Sequence, residues 1–289
     1  MKAQEINREL DRARDSGPVK DIAIPPCPQL LVQLQTELNQ ADPDPQAVAA
    51  IAGSDVAMAA ALIRSSNSSL YARRQPVSSV GQAVAMLGVR STANLLTGFL
   101  LRHSIRLDSS LIEHFWESST RRSLAMAHIA GQMYGVDVEV AKTCGLFFHV
   151  GIPIMLQGVR GYSGTLVEAM ARQDRTFVQT ENANHRTDHA VVGAIVAKTW
   201  RLPVVIAYAV RLHHDFSVLA DSGVALEVRQ LVAIAAIADH LVAHHEGIKQ
   251  QREWDRHGTD CLAFLQISAA EVESWVDSLY ARFEGVVVV

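Results

Sequence analysis

The stretch CGLFFHVG, residues 144–151, decides the fold of this chain, because it ends an apolar helical segment with one histidine and a glycine. A histidine in that place is either a metal ligand that projects into a cavity or a polar side chain packed into a core. A carboxylate beside it would add a hard oxygen to an imidazole nitrogen, a pair suited to a divalent metal. The chain has Val150 after His149, so the stretch alone does not predict a metal centre.

Composition places the chain among ordinary compact proteins. Apolar residues make up 49% and charged residues 19% of its 289 residues, which argues against long disorder. Lys and Arg number 26 against 30 Asp and Glu, and the net charge of -4 argues against nucleic acid or an anionic membrane as a partner. Three widely spaced cysteines, none in a CxxC pair, favour a reducing compartment. The longest apolar run, 231–238, is far shorter than the roughly 20 residues of a membrane span, so we expect a cytoplasmic protein.

Helical spacing and helix caps recur along the first hundred residues without any strand-like alternation. Residues 29–40 carry leucines on one face, which predicts a helix there. Asp44 can cap the next helix while Pro45 takes its first position, where a missing N–H costs nothing. Residues 76–88 combine a serine cap, apolar residues at helical spacing and a closing glycine. The pattern predicts an all-α fold.

Short motifs in this region resemble the HDOD family in spacing and in identity. They are Ser54-Asp55, Asn67-Ser68, Leu70-Tyr71, PVSSV at 76–80, Gln82-Ala83 and Leu87-Gly88. Val56 stands where family members usually carry a proline, which should alter only the helix start. The resemblance covers residues 22–245 and implies an all-helical, two-lobed module whose second lobe is related to HD-type metal phosphohydrolases. It predicts lobes at 22–110 and 111–245, and the residue patterns outside them predict an N-terminal polar helix or linker at 1–21 and a C-terminal helical extension at 246–289.

The resemblance also implies that two metal ligands are lost. His149 and Val150 occupy the place of the His-Asp pair that names the wider superfamily, so the aspartate is missing. Ser118 stands where the first metal-binding histidine is expected, two residues after an aromatic. His128 follows ten residues later on the same predicted helix, roughly 15 Å further along at 1.5 Å per residue, and cannot substitute.

Candidate ligands remain elsewhere, in the segment 188–193, at the end of a predicted helix after residue 203, and in an apolar helix near residue 239. The full set of candidate, vestigial metal ligands is His149, His189, His213, His214 and Asp239. A carboxylate in an apolar helix needs a partner, which makes the last of these notable. Either these residues form a surviving metal or phosphate site, or they hydrogen-bond to one another as a structural remnant. The two lost ligands favour the remnant.

We therefore predict a non-catalytic regulatory module without catalytic residues or a cofactor. The resemblance implies a role in bacterial two-component or cyclic-nucleotide-linked signalling through a signalling protein partner, such as a receiver or nucleotide-signalling domain. The sequence contains no receiver-like βα alternation, glycine-rich phosphate loop or nucleophile elbow. Two alternatives stay open: a divergent metal-dependent phosphohydrolase acting on a nucleotide or cyclic dinucleotide, and a small-ligand sensor that uses the vestigial metal cavity. The oligomeric state also stays open.

Overall fold

A computed structural model of the chain describes residues 2–71, 76–105 and 110–286. Every regular element within these ranges is helical, which confirms the predicted all-α class. Three are short 3-10 helices, Pro18–Asp21, Ser69–Tyr71 and Phe216–Ala220. The α-helices are α1 Lys2–Asp15, α2 Gln29–Leu38, α3 Pro45–Gly53, α4 Val56–Ser66, α5 Val80–Leu87, α6 Val89–Ser104, α7 Ser110–Ala130, α8 Val138–Phe147, α9 Gly151–Gly158, α10 Tyr162–Ala171, α11 Phe177–His185, α12 His189–Thr199, α13 Val204–Leu212, α14 Leu226–His245, α15 Arg252–Leu265 and α16 Ala269–Glu284.

Side-chain caps fix where the early helices begin. Asp44 Oδ1 accepts a hydrogen bond of 2.8 Å from the N–H of Gln46, and Pro45 is the first residue of α3, as predicted. Asp55 caps α4 in the same way. Val56, which replaces the usual proline, is the first residue of α4 and is 87% exposed, so the replacement removes no packing contact.

The polar cluster after α4 forms a structural corner. The Asn67 side-chain amide donates a 2.8 Å hydrogen bond to the Val77 carbonyl, and its oxygen accepts a 2.7 Å bond from the Val77 N–H. The side chain therefore satisfies both backbone polar groups of a residue ten positions later. This arrangement ties the end of α4 to the segment that enters α5.

One connected cluster of buried apolar side chains runs from Ile6 to Phe283. Helix α7 packs along α8, α12 packs against α9 and α13, and α14 packs against α7, α13 and α15. Two glycines permit the closest approaches: a Cβ at Gly145 would fall on the backbone of α7 at Ser123, and one at Gly151 on the backbone carbonyl of His189. These approaches fix the turn between α8 and α9. The division into lobes stays a prediction.

Both ends of the described chain pack on its centre. In α1, Ile6 and Leu10 are buried, and Glu9 forms an ion pair with Arg211 of α13. The polar region 246–257 is exposed at residues 247–250 and then enters α15, which packs along α14. Helix α16 packs on α14 and α7, with Trp275 only 7% exposed. Of the four valines at 286–289, those after position 286 lie outside the described residues.

Within the described ranges, one helical stretch is long and apolar enough to cross a membrane. It is Val138–Gly158, formed by α8 and α9, with a mean hydropathy of 1.3 in its best window. The fold itself buries 61% of that window. Helices α3 with α4, and α5 with α6, meet the same test only as pairs bent by 119° and 117°. The apolar character of α8 and α9 is thus largely accounted for by their place in the core.

Candidate histidine-cluster site

Four histidines from separate parts of the chain converge on one point. His149 lies in the turn between α8 and α9, His189 is the first residue of α12, and His213 and His214 follow α13. One ring nitrogen of each lies within 4.8 Å of the corresponding nitrogens of the others. Asp239 of α14 reaches the same place, with its Oδ2 3.4 Å from His149 Nε2. The structure brings together all five predicted candidate residues, and we call the four rings the histidine cluster.

Each ring of the histidine cluster is held from outside by an oxygen acceptor. Three acceptors receive a hydrogen bond from Nδ1: Glu181 at 2.7 Å from His189, the Val210 carbonyl at 2.6 Å from His213, and Glu253 at 2.7 Å from His214. Carbonyls and ionised carboxylates only accept, so we assign the proton of these rings to Nδ1. Each Nε2 then presents its lone pair. His149 uses the opposite nitrogen, since its Nε2 faces Asp239 and its Nδ1 faces inward.

The inward-facing nitrogens are close enough to require a proton or a cation between them. His189 Nε2 lies 3.1 Å from His149 Nδ1 and 3.0 Å from His214 Nε2. Two lone pairs repel each other at such distances unless a proton or a cation lies between them. His213 Nε2 is buried and has no hydrogen-bond partner among the described residues. The cluster therefore suits either a shared proton or a metal ion.

The residues fit a transition-metal ion by donor type. Imidazole nitrogens are common ligands of zinc, copper, iron and nickel, and metal-bound histidines usually donate their other N–H to an oxygen, as these rings do. A metal held by His149, His189, His213 and His214 would supply Lewis-acid chemistry there. The inward set contains imidazoles only, because each nearby carboxylate already binds the outer side of a ring.

Burial and neighbouring charges set the protonation of the rings in opposite directions. Burial, with a contribution from the Arg122 guanidinium, lowers the pKa of His149 to about 3. Burial and the adjacent rings hold the pKa of His213 well below its usual range. Burial also disfavours the charged form of His214, but the carboxylate of Glu253 outweighs it and raises the pKa of that ring. Of these three rings, His214 is therefore the one best placed to carry a second proton.

The carboxylate of Asp239, on the outer side of His149, is paired with an arginine. Arg122 of α7, which is 8% exposed, donates its Nε hydrogen to Asp239 Oδ1. Burial raises the pKa of Asp239, but the guanidinium and the ring of His149 more than offset it and hold the pKa well below its usual range. Asp239 thus stays ionised beside a permanent positive charge. Its satisfied state explains how a carboxylate is tolerated on the apolar helix α14.

The two replaced ligand positions have other roles. Ser118 donates a 2.6 Å hydrogen bond to Glu246, beyond the end of α14, and is not in the histidine cluster. Val150 is fully buried in the apolar core. His128 lies apart from the cluster as expected, with its ring packed edge-on against Trp275. Neither replacement position supplies a donor atom to the cluster.

Sequence reasoning missed the residues that orient the rings. Glu181 is completely buried and also accepts a hydrogen bond from the Tyr162 hydroxyl. The lone carboxylate in its helical segment, eight residues before His189, was a signal that could have been used. Glu253 lies in the strongly polar region 246–257, and Arg122 is one of two adjacent arginines in α7. No local pattern distinguishes these two from surface charges.

Comparison with known proteins supports the fold. Residues 24–216 match the model of the HDOD domain family. An HDOD domain protein with unknown function from Geobacter sulfurreducens has a TM-score of 0.71 and 20% identity, and the match covers 96% of each chain. A Shewanella amazonensis structure named for phosphohydrolase activity has a TM-score of 0.73 and 17% identity over 96% of this chain and 95% of its own. At these identities the likeness shows the fold alone.

Two further relatives are longer than this chain. A Marinobacter aquaeolei structure named for signal transduction has a TM-score of 0.72 and 16% identity, and the match covers 98% of this chain and 66% of that one. An uncharacterized protein of Treponema pallidum is 21% identical over 266 residues, which are 91% of this chain and 50% of that protein. The chain thus spans about half the length of the curated relative it matches.

Proposed function

The chain belongs to the HDOD domain family, and from that premise we propose that it is a non-catalytic regulatory module of a bacterial signalling pathway. It acts in the cytoplasm through contacts with a signalling protein, such as a receiver or nucleotide-signalling protein of a two-component or cyclic-nucleotide-linked pathway. The family is related to the HD phosphohydrolases, and this relation accounts for the fold around the histidine cluster. The name of the Marinobacter aquaeolei neighbour refers to signal transduction, which agrees with this proposal without extending to this chain.

The ion pair of Arg122 with Asp239 carries the proposal. In a hydrolytic metal centre, carboxylates offset the charge of the metal and help to orient the attacking water. Here Asp239 is already neutralised by a guanidinium, and Val150 offers no oxygen where the usual aspartate would stand. A metal in the cluster would have imidazoles only and a fixed positive charge nearby. These features suit a site that stabilises the fold rather than one that hydrolyses phosphate esters.

A phosphodiesterase assay tests this proposal directly. The purified chain is supplied in turn with Mn(II), Fe(II) and Ni(II) salts and is given bis-p-nitrophenyl phosphate and cyclic dinucleotides. We expect the unmodified chain to release p-nitrophenol or linear nucleotide no faster than His149→Ala, a variant that removes one ring of the cluster. A metal-dependent rate that disappears in His149→Ala would overturn the proposal and establish the rival function.

The rival is a divergent metal-dependent phosphohydrolase with His149, His189, His213 and Asp239 as ligands. The observation that favours it is the convergence of inward-facing ring nitrogens within 4.8 Å. It predicts both stoichiometric metal and turnover, whereas a structural cation predicts metal without turnover. Metal content measured on the samples used for the assay separates the two.

A further inference from the structure

A cavity separate from the histidine cluster lies between α4 and α6 on one side and α7 and α8 on the other. Its lining shares no residue with the histidine cluster or with the side chains that orient the rings. We propose that this cavity binds an aliphatic monocarboxylate, with the chain among its apolar side chains and the carboxylate at Lys142. The inference does not depend on the proposed regulatory function.

The body of the cavity is apolar. Its lining includes Leu70, Leu95, Phe99, Trp116, Leu124 and Leu146. Gly98 of α6 leaves room in the wall, since a Cβ there would meet no atom nearer than the Leu146 side chain at 3.4 Å. The cavity is partly open to solvent. Such walls favour a hydrocarbon chain, because its transfer from water gains free energy in proportion to the buried area.

Both charged residues of this lining are cations. Lys142 of α8 lines the cavity and forms no ion pair or side-chain hydrogen bond with the described residues. The nearest acidic group on the same helix, Glu139, is already hydrogen-bonded to Asn94 and Ser91. Burial lowers the pKa of Lys142, and Glu139 only partly opposes this effect. An anion in the cavity would therefore give the ammonium group of Lys142 the direct hydrogen-bond partner that no described residue supplies.

Two further groups make the site receptive to a carboxylate. Ser65 is 4% exposed, lines the cavity, and its hydroxyl has no hydrogen-bond partner among the described residues. Arg102 is a second cation in the lining, and no Asp or Glu occurs among the lining residues. A carboxylate has only acceptor positions, which match a lysine, an arginine and a free hydroxyl. Because the remaining walls are mostly apolar, a single charged head on a hydrocarbon chain fits better than a polyanion.

Calorimetric titration of the full chain with sodium decanoate tests the proposal, with 1-decanol as the uncharged ligand of equal chain length. We expect saturable binding of decanoate that is at least about tenfold tighter than that of the alcohol, because a charge-assisted hydrogen bond is lost with the alcohol. Lys142→Met should weaken decanoate binding by about tenfold and leave decanol unchanged. Lys249→Met, which alters an exposed lysine outside the cavity, should change neither.

A cavity-filling variant provides a test that keeps the lysine. Gly98→Leu should abolish binding of both ligands by occupying the space beside Leu146, whereas Gly164→Leu, at an open position of α10, should retain it. Circular dichroism checks that each variant is folded. No saturable decanoate binding, equal affinity for the alcohol, or unchanged binding in folded Gly98→Leu would each overturn the proposal.

Discussion

The two sides of the histidine cluster hold their rings with carboxylates in opposite settings. On the α11–α12 side, Glu181 is 0% exposed and binds His189 and the Tyr162 hydroxyl. On the α7–α14 side, the Asp239 side chain is 36% exposed and binds both His149 and Arg122. One carboxylate is thus buried between a ring nitrogen and a hydroxyl, and the other is partly solvated beside a permanent cation.

This difference shows where the site depends on its own charge. Glu181 has no arginine or lysine within ion-pair distance among the described residues, so only the histidine cluster can supply a compensating positive charge. Asp239 has that compensation already, from a side chain outside the cluster. The Glu181 side should therefore be sensitive to any loss of packing or of a donor, and the Asp239 side should tolerate change and respond mainly in its affinity for cations.

The largest expected loss of stability comes from a substitution that forces apart the backbones of α9 and α12, which meet at Gly151 and His189. In Gly151→Ala the new Cβ would fall on the carbonyl of His189, so α9 and α12 must separate, and we expect a loss of several kcal/mol in the free energy of unfolding. Gly164→Ala, where no atom lies near the added carbon, should be neutral or slightly stabilising. Urea unfolding followed by circular dichroism measures both. Equal stability of the two variants would contradict the close packing.

Removing each carboxylate tests the comparison itself. Glu181→Ala leaves a buried ring N–H and a buried hydroxyl without an acceptor, and we expect it to cost about 3 kcal/mol. Asp239→Asn should cost less, about 1 to 2 kcal/mol, because its side chain is partly exposed and its amide oxygen can still accept the hydrogen bond from the buried Arg122. The same unfolding assay ranks them. A larger loss for Asp239→Asn would reverse the assignment of the sensitive side.

The sequence predicted the fold further than it predicted the site. Helix caps such as Asp44 and the serine before α5 and the apolar periodicity depend on neighbours in the chain, and the structure has them where they were expected. The histidines could be named because their motifs resemble a family. The orienting carboxylates could not, since Glu181 and Glu253 reach their rings through tertiary packing of α11 and α15. The pairing of Arg122 with Asp239 likewise joins positions 117 residues apart.

Removing the Arg122 guanidinium tests how the Asp239 side of the histidine cluster responds to the loss of its compensating charge. In Arg122→Met, the carboxylate of Asp239 loses its guanidinium partner, and the histidine cluster loses a nearby positive charge. We expect Ni(II) to bind about tenfold more tightly than to the unmodified chain, as measured by calorimetry. Arg121→Met is the matched control, because its side chain binds Glu246 and not Asp239. Equal gains in both variants would show a general charge effect rather than release of Asp239.

The smallest effect concerns one hydroxyl on the Glu181 side. Tyr162→Phe keeps the buried ring and removes only the donor to Glu181, so no cavity forms and the cost should be about 1 kcal/mol. Tyr134→Phe, at a fully exposed position, should leave the free energy of unfolding unchanged. If Tyr162→Phe were as damaging as Glu181→Ala, the hydroxyl rather than His189 would be the main partner of the carboxylate. A loss no greater than that of Tyr134→Phe would mean that His189 satisfies Glu181 by itself, and the hydrogen bond between the ring and the carboxylate would then account for the stability of that side.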